Sequence, residues 1–197
     1  MFTLSLCAAG CGKPAITGSA LCAAHSANSV EDVQRLCGEI AEKKAARDLC
    51  AQSLHFEKVD FSKHQFYGCD FSGATFSKCI FSEAIIRMSF FNFATFASCD
   101  FSNGSLQFLS MAGTTIKNST FEGSEMVNIN FGGSFISDSI FRRTDLYNSR
   151  FIGAEIVRSD FGDCNLKQAY FLNSKRNEVN FKSSNTAEAI FEQGVIA

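Results

Sequence analysis

From Phe56 to Phe171 a large apolar residue returns at every fifth position, 24 times without a break, and nothing else in the 197-residue chain restricts its fold as tightly. An α-helix brings its buried face round about every 3.6 residues and a strand every 2, so side chains locked at five would smear around a helix and change sides of a strand. A second register is tied to the first. Two places before most of these residues stands a small one, among them Cys69, Ala74, Cys79, Ala84, Cys99, Ser119, Ser139, Ala154 and Cys164. A composition that is 46% hydrophobic would not fill 24 chosen sites with large apolar residues by chance. The 22 phenylalanines, against no tryptophan and one proline, describe one environment copied many times.

Units such as Cys99-Asp100-Phe101-Ser102-Asn103 and Cys164-Asn165-Leu166-Lys167-Gln168 resemble the pentapeptide-repeat family, whose units read small, Asp or Asn, Leu or Phe, then two variable residues. The resemblance covers about residues 54–171. It implies an all-β solenoid, a right-handed quadrilateral β-helix in which each unit forms one side of a square and four units make a turn. In such a coil the central residue and the one two before it point inward, the other three positions face solvent, and stacked turns pair their backbones about 4.8 Å apart. The 24 units give six turns, or six to seven with the partial turn after them, in a rod of roughly 29 Å. Beyond Phe171 the pattern falters. Arg176 and Thr186 fall in inward slots while Phe181 and Phe191 restore it, so a bulge around 174–179 is expected to lift Arg176 out, because arginine is rarely buried without a partner.

Three segments are expected: a metal-binding knuckle over 1–28, a capping helix over 29–52 and the β-helix over 53–197. In the second, Val33, Leu36, Cys37 and Ile40 share one helical face, with Ser29 and Asp32 placed to start the helix. Its task is to cover the first turn, since a stacked sheet cannot leave apolar rings and unpaired backbone open to water. The first segment holds Cys7, Cys11, Cys22 and His25, three thiols and an imidazole in two close pairs, with Gly10 and Gly12 to permit a tight turn. It resembles small zinc knuckles of the treble-clef kind. About 25 residues cannot build a core alone, so a structural zinc is expected there. All four positions are protein ligands, which leaves none for a reactive water. Cys69, Cys79, Cys99 and Cys164 read as core packing.

Charge is nearly balanced, five basic and five acidic residues over 1–50 and 13 against 15 over 51–197, so no strong field draws nucleic acid. Only Lys13 lies near the knuckle, which gives nucleic-acid binding through it little support. No run is long enough to span a membrane and no signal peptide is expected at the start, and nine cysteines without export signals point to a reducing cytoplasm. An enzyme needs convergent acid, base or nucleophile groups in a concavity, and a filled convex rod with three histidines offers none. The expected function is a non-catalytic scaffold for an unidentified protein partner.

Candidate contacts are the bulky outward residues Met88, Phe90, Phe93 and Phe108, and a second group, Ile152, Tyr170 and Leu172, nearer the carboxy-terminal end. Within the family, the gyrase-protecting proteins linked to quinolone resistance resemble duplex DNA in shape and charge, which is the alternative function. That mode demands a strongly acidic rod, and Arg142, Arg143, Arg150 and Arg158 interrupt any acidic stripe here. With no second cap in sight, the carboxy-terminal end is expected to form a homodimer through Phe191, Val195 and Ile196.

Overall fold

The structure, a computed structural model, describes residues 5–27 and 29–192. Its corners explain the period of five. From Asp48 to Ser183, the residue two places after each central one adopts positive φ, between 45° and 70°. This left-handed conformation turns the chain and is disfavoured for β-branched side chains, and no Val, Ile or Thr occupies one of these corners. Four corners close a square, so each residue lies beneath the one 20 positions later: Phe56 pairs with Phe76, Phe76 with Phe96 and Phe96 with Ile116.

The four sides are called faces I to IV in chain order. Face I is a parallel sheet of Ala45–Arg47, Gln65–Tyr67, Ile85–Arg87, Ser105–Gln107 and Glu125–Val127. Face III is a seven-stranded parallel sheet running from His55–Glu57 to Lys175–Asn177, which counts seven turns. Faces II and IV are joined by single-residue bridges such as Asp70 to Phe90 and Asp100 to Thr120. The residue before the central one helps select between these geometries. Where it is Asp or Asn, its Oδ1 accepts the backbone N–H two residues on, as in Asp70 to Ser72 (2.9 Å), Asp100 to Ser102 (2.8 Å) and Asn130 to Gly132 (2.9 Å). The side is then a tight turn. Asp145 and Asn165 make the same bond on face I, which changes from strand to turn in the units centred on Leu146 and Leu166.

All 24 central residues from Phe56 to Phe171 are at most 1% exposed. The 20-residue repeat places ring on ring: Phe101, Phe121, Phe141 and Phe161 stack at 4.8, 4.7 and 4.5 Å with near-parallel planes. Around each corner neighbouring columns meet edge to face, for example Phe151 and Phe161 at 82°. Serines fit the small inward slot because the backbone satisfies them. Ser119 Oγ donates to the Lys117 carbonyl and accepts from the Cys99 N–H, and Ser139 and Ser159 continue this ladder.

The solenoid begins earlier than the sequence reading places it. The helix spans Ser29–Lys43 rather than extending to 52, and the first turn opens at Ala45. Ala46 and Ala51 fill central slots there, too small to reveal the register, and the buried Leu36 and Ile40 of the helix pack into the same core. The far end differs as well. No bulge removes Arg176; residues 175–177 stay in register above 155–157, and Arg176 is exposed in the last described strand of the sheet. Its guanidinium lies 4.7 Å from the Phe191 ring centre, a cation–π contact that keeps its charge at the surface.

Candidate functional site

Two places on the molecule can carry function, the amino-terminal cysteine cluster and the outer surface of face II. In the cluster, Leu6 bridges Pro14 in antiparallel fashion, Gly10 N–H bonds the Cys7 carbonyl (2.9 Å), and Gly10 and Gly12 both take φ of 73°. This hairpin presents Cys7 and Cys11. A second tight turn, with the N–H groups of His25 and Ser26 on the Cys22 carbonyl at 2.9 Å, presents Cys22 and His25. The four ligand atoms lie within 4.8 Å of one another. Cys11 Sγ is 3.7 Å from Cys22 Sγ, and His25 Nδ1 is 3.6 Å from Cys7 Sγ and 3.4 Å from Cys22 Sγ. A tetrahedral ion with metal–sulfur bonds of about 2.3 Å has ligand-to-ligand edges of about 3.8 Å, so the donor set fits a metal.

The electrostatics agree. The Cys22 N–H donates to Cys7 Sγ (3.4 Å), which with other hydrogen bonds lowers the Cys7 thiol to about 6. Burial opposes the Cys22 thiolate, but bonds to His25 and Cys11 outweigh it and its pKa is also lowered. The ring nitrogen turned toward the sulfurs is Nδ1, a detail the sequence could not give.

The knuckle also closes the solenoid. Thr17 N–H donates to the Cys50 carbonyl (2.9 Å) and the Cys50 N–H donates to Thr17 Oγ1 (2.7 Å), so Thr17 pairs the first edge of face II as another turn would. Arg35 fastens knuckle to helix by donating to the Thr17 carbonyl (2.7 Å) while pairing with Asp32 and Glu39. Its guanidinium occupies the place a side chain at Gly18 would take. Ser26 Oγ adds a bond to Asp32 at 2.6 Å. The knuckle and the helix therefore act as one cap.

On the outer surface, Met88 and Phe108 stand one above the other at the corner between faces I and II, 60% and 59% exposed. Phe90 lies on face II and Phe93, 74% exposed, at its other corner, where the ring lies along Gly113. Ile152, Tyr170 and Leu172 belong to the same face three to four turns on, so the two groups read separately from sequence share one side of the rod. Between 88 and 173 the outward positions of face II hold a single charge, Arg150. Face IV and its corner with face III carry charge, with Ile80 and Ile140 as isolated exposed apolar residues. There Arg143 pairs with Glu122, Arg158 with Asp138, and Arg142 with Asp160 and Asp163. His64, in an inward slot near the cap, is hydrogen-bonded at Nδ1 to the Ser62 carbonyl (2.7 Å) and gathers no catalytic neighbours.

Phe191 packs on Phe171 and Phe181 within its own chain, while Val195 and Ile196 lie outside the described residues. Among the described residues no helix is long and apolar enough to cross a membrane.

The repeat is also identified by comparison with known proteins. The family model for pentapeptide repeats matches eight copies, over residues 54–87 and 136–168. Over these residues the chain is built of pentapeptide repeats. No curated protein matches it in sequence. Among solved structures it is similar to HetL, a pentapeptide repeat protein involved in heterocyst differentiation regulation from the cyanobacterium Nostoc, at 11% identity over 81% of this chain and 95% of HetL, with a TM-score of 0.42. Rfr23 from the cyanobacterium Cyanothece matches at 9% identity over 76% of this chain and 99% of its own, with a TM-score of 0.41. QnrB1, a plasmid-mediated fluoroquinolone resistance protein, matches at 18% identity over 68% of this chain and 81% of its own, with a TM-score of 0.30.

Proposed function

We propose that this pentapeptide-repeat chain is a non-catalytic scaffold for protein contacts, held at its amino-terminal end by a structural zinc. The observation that carries the scaffold reading is the segregation of the surface. The most exposed bulky apolar side chains, Phe93, Met88 and Phe108, gather on face II and its corners with neutral small residues, while face IV carries isolated Ile80 and Ile140 among its ion pairs, and exposed apolar patches of the first kind mark contact sites. The interior of the coils is filled by side chains, so no substrate could be enclosed within them. Three thiols and one imidazole in a tetrahedral arrangement suit zinc best among the common divalent ions. A cytoplasmic location accords with nine cysteines that are all free thiols.

DNA mimicry is less well supported. Arg142, Arg143 and Arg158 pair with Asp160, Asp163, Glu122 and Asp138, which breaks any acidic stripe on the later turns, and the outward positions of face II hold no acidic residue between 88 and 173. The end contact expected through Phe191, Val195 and Ile196 is less well supported, because Phe191 packs on Phe171 and Phe181 within its own chain while Val195 and Ile196 lie outside the described residues.

The scaffold reading is tested by placing a photo-reactive phenylalanine analogue at Ala112 on face II or at Ser102 on face IV in the intact protein and irradiating cells that express it. Protein adducts should form from position 112 and be scarce from 102. Equal or absent adducts at both positions defeat the reading.

A further inference from the structure

We infer that the partner of face II is a second copy of the chain, laid face to face and antiparallel about a two-fold axis that crosses the fifth turn; this rests on the scaffold reading above. The register of the solenoid makes the inference specific. With the axis at Asn130 and Gly132, the third turn of one copy lies over the seventh of the other and the fourth over the sixth, while positions across the face are preserved. Phe90 then meets Tyr170, and Ile152 meets Ala112, a large residue over a small one. At the axis Gly132 and Gly133 allow close approach, and the space a side chain at Gly133 would fill is open.

Charge favours the same occupant. A self-complementary interface sets each side chain against its two-fold mate's surroundings, so like charges near the axis would repel. Face II carries only Arg150 over these turns, and the pairing sets it on Ser110, two turns or about 10 Å along the rod from the other Arg150 at a turn spacing of about 4.8 Å, which is about one Debye length in physiological salt. Nucleic acid would need a row of cations, and an acidic or basic segment would find one charge to answer.

The area sets the strength. Five turns of about 4.8 Å and a side of roughly 12 Å give about 300 Å² in plan, and side-chain relief brings two copies to on the order of 1,000 Å² buried. That is the low end for a specific interface, so the dimer is weak and depends on concentration.

The test uses the purified full chain in sedimentation velocity from about 10 µM to about 1 mM, the range in which a weak dimer forms. The mass should rise from one copy toward two. Ala112→Arg alone and Ile152→Asp alone should each hold the protein near monomer mass, and the double variant should regain association because each new arginine meets the other copy's aspartate. Circular dichroism establishes that the variants remain folded. The photo-reactive analogue at Ala112 should also give an adduct within residues 150–154 of an isotopically distinct second copy. A monomer throughout, a double variant that fails to regain association, or self-association abolished by Phe191→Asp but not by Ala112→Arg each overturns the inference. If the purified chain is monomeric while position 112 still captures other proteins in cells, only this inference falls; if neither occurs, the scaffold reading falls with it.

Discussion

Replacing Phe121 by alanine removes the middle ring of the column formed by Phe101, Phe121 and Phe141. The ring is fully buried and stacked at 4.8 and 4.7 Å on its two neighbours, so no face of it touches water. Collapse of the space is resisted because the backbone above and below is pinned: Phe121 N–H bonds the Ile140 carbonyl at 2.7 Å and Phe101 N–H bonds the Thr120 carbonyl at 2.8 Å. Phenylalanine-to-alanine changes in cores cost about 3–5 kcal/mol, and a cavity that cannot relax, with two stacking partners lost, belongs at about 4–5 kcal/mol. Glu122→Ala, one residue along, removes only an exposed pair with Arg143 and should cost at most about 1 kcal/mol. Urea titration followed by far-ultraviolet circular dichroism, with midpoints read for both variants and the parent, measures the contrast. A loss below about 2 kcal/mol for Phe121→Ala, or equal losses from the two variants, would refute the inward register and the rigidity argued from it.

Four further outcomes are expected. Metal analysis of a reduced preparation should find about one zinc per chain, lost in Cys22→Ser with the solenoid still folded, because the repeats bury their own core. Thr17→Val should leave global stability nearly unchanged but speed hydrogen exchange at the Cys50 amide, since only the Oγ1 acceptor is removed; unchanged exchange would disprove the edge-pairing role. At the corner of Asn128, where φ is 59°, a valine should destabilise by about 1–2 kcal/mol while glycine is tolerated, and thermal denaturation of both variants checks the corner rule. Light scattering on Phe191→Asp tests the end contact, and unchanged mass at high concentration removes it.

The central register was legible because large apolar residues mark it, and each of the 24 is buried where the period places it. What was not legible had small or ambiguous markers. Ala46 and Ala51 give no large apolar signal, so the sequence pattern does not separate the first turn from the cap. The corner rule was present in the sequence as a column without β-branched residues, rich in Gly and Asn at positions such as Gly113, Asn118, Gly123 and Asn128, but absence is harder to see than repetition. Arg176 departs from the expected bulge because an inward slot in the last described strand lets a long side chain keep its register and still reach the Phe191 ring at the surface. The spacing of the metal-ligand residues identified the cluster, yet the bond of Thr17 to Cys50 spans 33 residues and joins two loops by a threonine that carries no pattern of its own.

Because every corner falls five residues after the last, the chain keeps count, and its faces are defined by residue number modulo 20. Deleting one five-residue unit from the fourth turn would leave all later units chemically intact yet rotate them by a quarter turn, moving Ile152 and Tyr170 out of line with Phe90. Deleting four units would shorten the rod by one storey and restore the alignment. Length changes in such a chain therefore act as rotations, and a surface can be dismantled or rebuilt without altering any residue that forms it.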